Sequence, residues 1–93
     1  MTAKSDRQAA REAVAAFHEA QLGGLVAHLG SAVDGFRSGQ MDAFDVDQVL
    51  FHYARAAKEL WKFCNLGDLE LVAGLVRDRS PVDWWDLGTP KER

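Results

Sequence analysis

Apolar and polar positions follow a helical period along most of this chain, and the period is clearest over residues 44–64. At about 100° per residue, Val46, Val49, Leu50, Tyr53, Ala54, Ala56, Ala57, Leu60, Trp61, Phe63 and Cys64 fall in one sector, with Asp47, Gln48, Arg55, Lys58, Glu59 and Lys62 opposite. Asp45 with Gln48 three residues on reads as a capping box, and Phe44 with Val49 as the hydrophobic staple around it. Acidic residues near the start and lysines near the end follow the macrodipole. The apolar sector spans roughly 180°, wider than the 100° or so a surface helix needs. Two neighbours are therefore expected against it: helices one and three of the same chain, or one of them and a second copy.

Before this helix, Ser5 reads as an N-cap answered by Gln8, with residues 1–4 frayed. Ala10, Ala13, Val14, Phe17, Ala20 and Gln21 share one side of the helix that follows. Past Gly23-Gly24 the apolar set becomes Leu22, Leu25, Val26, Leu29, Val33 and Phe36, turned by roughly 100° on a straight wheel. The expectation is one long helix, kinked or continuous at the glycines, with two shorter helices as the alternative. Ser38-Gly39 supplies a stop, and the short connection over residues 40–43 turns the central helix back antiparallel. After Cys64, Asn65 is the candidate for a left-handed helix end, Gly67 adds freedom and Asp68 offers a new N-cap. The run Leu69, Leu71, Val72, Ala73, Leu75, Val76 predicts a third, heavily buried helix. Read as a strand, it would have no partner for its backbone groups. Ser80-Pro81 opens a last turn, with Asp83 completing its box and Gly88 ending it; residues 89–93 are expected to be flexible.

The fold class is thus all-α, a small antiparallel bundle of three to four helices within a single domain over residues 1–93. Hydrophobic residues make up 47% of the chain and charged residues 27%, values that argue against disorder. A chain of this length buries only about 60–65% of its unfolded surface, so a partner could add much to its stability. The net charge of −3 is spread evenly, −1 before residue 45, zero over 45–64 and −2 beyond. That balance does not favour a sequence-independent grip on nucleic acid, which needs clustered cations. One cysteine excludes an internal disulfide and a cysteine-based zinc cluster, and fits a reducing compartment. With neither a signal-like run nor the roughly 18 apolar residues of a membrane span, a soluble, cytoplasmic protein is expected.

Chemistry is harder to find than structure. His18, His28 and His52 lack the four-residue spacing and glutamate of a zinc helix, Gly23-Gly24 lacks the lysine of a phosphate loop, and no Ser/His/acid arrangement is discernible. Cys64, on the apolar side beside Trp61, reads as a buried, inert thiol. No catalytic residue, metal ligand or cofactor is expected. What stands out is aromatic surface. Phe51 projects from the polar side among Arg55, Lys58 and Lys62; either another element folds over it or it marks a contact surface. Trp84 and Trp85 point about 100° apart, too far for both to bury fully in one small core. The candidate partner-binding residues are Phe51, Arg55, Lys58, Lys62, Trp61, Trp84 and Trp85. They suggest a non-catalytic interaction or regulatory module that forms a homodimer or binds another protein. A nucleic-acid-associated regulator using the basic ridge with Phe51 stacking is the alternative, and a small-ligand-binding bundle a second one.

Overall fold

The computed structural model describes residues 3–65, 67–78 and 82–90. Four helices, α1 (Ala3–Arg37), α2 (Ala43–Cys64), α3 (Leu69–Asp78) and α4 (Trp84–Leu87), form an all-α antiparallel bundle with no strand among the described residues. α1 runs unbroken through Gly23-Gly24, where an added Cβ would meet nothing within 4 Å. The turn in its apolar face therefore reflects a change of neighbour along one helix. In the first half Ala10 lines the α3 side while Phe17 meets Phe63 of α2 and Trp84 of α4, and in the second half His28 stacks on Trp85 of α4. Ser5 lies inside α1 rather than capping it, and Gln8 bonds forward to Glu12 (3.1 Å).

α1 ends where Gly39 takes φ +82° and the amides of Gln40 and Met41 turn back to the Gly35 carbonyl (2.9 and 3.1 Å). The next helix starts earlier than its sequence pattern suggested. Asp42, not Asp45, is the N-cap: its carboxylate accepts from Asp45 N (2.8 Å) while the Asp45 carboxylate accepts from Asp42 N (3.0 Å). Gln48 is no part of the box, and Phe44, 80% exposed, is no staple. Asp42→Ala should cost about 1 kcal/mol in urea unfolding, and Asp45→Ala a similar amount. Gln48→Ala should stay within about 0.5 kcal/mol; an equal loss there would restore the later cap.

At the far end of α2, Asn65 keeps φ −122°, its side-chain amide donating to the Trp61 carbonyl (2.8 Å), and Gly67 takes the positive φ of +101°. Asp68 caps α3 as expected, accepting from Glu70 N and Leu71 N (3.1 and 3.2 Å). Residues 79–81, including the Ser80-Pro81 helix start, lie outside the described residues. Asp83 is itself the N-cap of the single turn α4, accepting from Asp86 N (3.1 Å).

The core gathers Val14, Leu25, Ala56, Leu60, Phe63, Cys64, Val72 and Trp84. α3 packs mainly on α1, and the element laid along α2 is α4. This corrects the expectation that helix three covers the second half of the wide apolar sector of α2. α3 is also less enclosed than its composition suggested: Val72 alone is fully buried and Leu71 is 56% exposed. Two layers result, the α1–α2 hairpin and, on one side of it, α3 and α4. The molecule measures 57 × 32 × 19 Å, and the shortest dimension is about two helix diameters. Its radius of gyration, 16.4 Å, exceeds the ~12 Å of a compact domain this long. A slab two helices thick leaves one face of its longest hairpin uncovered.

Candidate functional site

The docking of α4 decides which candidate residues remain available. Trp84 inserts into the core, 6% exposed, with its ring 5.4 Å from Phe63 and 6.5 Å from Phe17. Its indole N–H has no acceptor among the described residues, a burial cost of about 1–3 kcal/mol offset by the apolar area the ring buries. Trp85 is held between two imidazoles, stacked on His28 of α1 at 3.9 Å and on His52 of α2 at 3.8 Å, each within 6° of parallel. His52 Nε2 donates to the Trp85 carbonyl (2.7 Å), which places its proton on Nε2. Arg55 Nε donates to the Gly88 carbonyl (2.7 Å). Gly88 lies so close to α2 that an added Cβ would stand 2.6 Å from Ala56 N. Its φ of −84° is ordinary, so the close approach, and not the turn, requires glycine there.

Three of the seven candidate contact residues are thereby engaged inside the chain. Trp84 is core, Trp85 is enclosed by histidines, and Arg55 clamps the end of α4. His28 and His52, which in the sequence stand out only for lacking the spacing of a zinc helix, turn out to be the jaws of that clamp; nothing in their local spacing signals it, because they lie on different helices. The other four stay at the surface. Phe51 is 53% and Trp61 59% exposed, Lys58 is exposed, and Lys62 leans on Glu59 (3.5 Å) with both side chains about half exposed. Among the described residues no element folds over Phe51 to bury it.

The open surface is larger than those residues. On α1, Leu22, Val26, Leu29, Val33 and Phe36 recur at steps of four and three, the spacing of a coiled-coil seam. Leu22 and Leu29 are half-buried, while Val26, Val33 and Phe36 are 47%, 39% and 51% exposed. On α2, Leu50, Phe51, Ala54 and Trp61 are exposed and lie mostly across the helix from His52 and Ala56, which face α4. Phe36, Phe44, Phe51 and Trp61 alone put on the order of 500 Å² of ring-bearing surface in water. Val26, Val33 and Leu50, each 39–51% exposed, add to that exposed apolar surface. Sequence periodicity recorded the width of this stripe on α2 but missed its counterpart on α1, whose residues read equally well as core.

Other features offer less. The groove between the start of α1 and α3, floored by Ala9, Ala13, Ala73 and Val76 and rimmed by Asp6, Glu70 and Arg77, holds about 560 Å³ but is open to solvent. A 190 Å³ hollow beside Gln21, His28 and Trp85 is shallow as well. Among the described residues no three His, Cys, Asp or Glu side chains come together in a way that could hold a metal ion, and no helix is long and apolar enough to cross a membrane. Cys64 is buried, and burial pushes its thiol above the ordinary value, which disfavours the thiolate a nucleophile requires. No protein-family model, curated protein or solved structure matches this chain.

Proposed function

We propose that this chain is a small, non-catalytic helical interaction module that works by protein–protein contact and pairs with itself through the open face of its α1–α2 hairpin. The observation that carries the reading is the uncovered seam of Val26, Val33, Leu50 and Trp61 on a slab only 19 Å thick. Large apolar surface left in water by a folded chain marks a docking site or an aggregation liability. The heptad-like spacing on α1 fits ordered helix packing better than indiscriminate adhesion.

The competing readings have weaker support. A nucleic-acid regulator would use Arg55, Lys58 and Lys62; all three are exposed, yet Arg55 is engaged with the Gly88 carbonyl and Lys62 with Glu59, leaving Lys58 as the ridge cation without a bonding partner among the described residues. A ligand-binding bundle would want an enclosed cavity, and the hollows here are open.

Sedimentation equilibrium of the purified chain is expected to give twice its 10.3 kDa mass. Val26→Glu should return it to monomer while leaving its helical circular dichroism intact, since Val26 is 47% exposed and a charge there is solvated in the lone chain. Leu71→Glu, on the outer side of α3, should leave the dimer unchanged. A wild-type chain that stays monomeric at high micromolar concentration, or a dimer indifferent to Val26→Glu, would overturn self-pairing through this face.

A further inference from the structure

We infer that the partner is a second copy turned end for end, with α2 packed antiparallel on the partner's α2, and α1 on the partner's α1, about one two-fold axis. This rests on the interaction reading of the same face and adds the register.

The outer side of α2 carries a second seam, Phe44, Asp47, Phe51, Ala54, Lys58 and Trp61, at steps of three, four, three, four and three. All six side chains are exposed. In antiparallel coiled coils each such position meets one of the other kind on the facing helix. Reversing this seam about a point between His52 and Tyr53 sets Phe44 on the partner's Trp61, Asp47 on the partner's Lys58 and Phe51 on the partner's Ala54. Aromatic meets aromatic, acid meets base and large meets small, and the two-fold makes each pairing twice. A parallel arrangement would instead stack Asp47 on the partner's Asp47 and Lys58 on the partner's Lys58. Like charges brought together disfavour a pairing strongly, so the polar pair selects direction and register.

α1 supplies an independent check. His28 and His52 stack on the two faces of the same indole, and Phe17 meets Phe63 at 5.8 Å, so the helices of one hairpin are antiparallel with residue 28 level with residue 52. The axis that bisects the α2 seam therefore crosses α1 between Ala27 and His28. Reversed about that point, Leu22 falls on the partner's Val33 and Val26 on the partner's Leu29. The apolar stripe of α1 closes on itself in the register that α2 chose on charge. The four exposed aromatics together with Val26, Val33 and Leu50 approach the ~800 Å² each partner contributes to a standard interface.

The test is a charge-reversal cycle read by sedimentation equilibrium. Asp47→Lys and Lys58→Asp should each raise the dimer dissociation constant about tenfold or more, because the two-fold repeats the clash. The double variant should return to within about threefold of wild type. A geometric arm uses Asp47→Cys with Lys58→Cys. Eleven residues apart on one helix they stand about 16 Å from each other, beyond the ~7 Å Cα reach of a disulfide, so they can pair only between chains, and oxidation should give a covalent dimer. Wild type, with Cys64 buried, is the control. A dimer that is lost on Val26→Glu but shows neither charge rescue nor cross-linking would overturn this register and leave the interaction reading standing. A monomeric wild type would overturn both.

Discussion

Replacing Leu60 by alanine is expected to destabilise the fold by about 3–5 kcal/mol, the upper range for a leucine deleted from a core that cannot collapse around the gap. Leu60 is 0% exposed and belongs to the cluster in which α1, α2, α3 and α4 meet, with Val14, Val72 and Trp84 as members from the other three helices. No single helix can move inward to fill the space without leaving another contact. A chain of this length has roughly 5–14 kcal/mol of total stability, so the variant should lie near its unfolding midpoint at moderate temperature. Each kcal/mol corresponds to about 4–8 °C in a domain this small, and a fall of 15 °C or more is expected by circular dichroism. A loss under 1 kcal/mol would mean that Leu60 is not where the layers join.

Gly88→Ala should have the second large effect, through a different cause. The new Cβ would stand 2.6 Å from Ala56 N, 2.8 Å from Ala56 Cβ and 2.9 Å from Ala56 Cα, all of them backbone or first-carbon atoms that cannot swing aside. α4 must lift. Lifting it strains the Arg55 and His52 hydrogen bonds to the Gly88 and Trp85 carbonyls, opens the histidine stack and draws Trp84 out of the core. We expect about 2–4 kcal/mol of destabilisation, with tryptophan emission shifted to the red as Trp84 and Trp85 meet water. Gly24→Ala is the contrast: its Cβ meets nothing within 4 Å, and alanine is preferred in a helix interior by about 1 kcal/mol. Were Gly88→Ala to leave the emission unchanged, α4 would not be anchored through Ala56.

If the chain pairs with itself, the apparent cost of both substitutions depends on concentration, because dimerisation stabilises the folded state by mass action. Unfolding Leu60→Ala at two concentrations tenfold apart then separates core damage, which is common to both, from lost association, which is not. Gly88→Ala should behave in the same way, since α4 lies on the side of the hairpin away from the open face.

Much of this architecture could be read along the chain because helical periodicity is a local property. The wide apolar sector of α2 is a matter of side chains three and four residues apart, and Asp68, Gly39 and Gly67 act within a few residues of themselves. The sequence offers two overlapping capping pairs, Asp42 with Asp45 and Asp45 with Gln48, and its pattern alone points to the later one. Only the reciprocal bonds, formed once Gly39 has turned the chain and the amides of Gln40 and Met41 are tied to Gly35, choose between them. Of the seven candidate contact residues, Phe51, Trp61, Lys58 and Lys62 remain at the surface, because their exposure follows from where they lie on one helix. Trp84, Trp85 and Arg55 do not remain free, because their fate depends on residues at least 21 positions away in sequence.

By itself, then, the sequence determined the helices, their apolar stripes and the surplus width of the central one, each dictated by hydrogen bonds and side-chain spacing within a turn or two. Only the tertiary structure decided that α4 rather than α3 lies along α2, that two histidines close on Trp85, and that one face of the hairpin stays bare. Those outcomes turn on whether Gly88 can touch Ala56 and Trp84 can reach Phe63, which is a question of shape between distant segments and leaves no period in the chain.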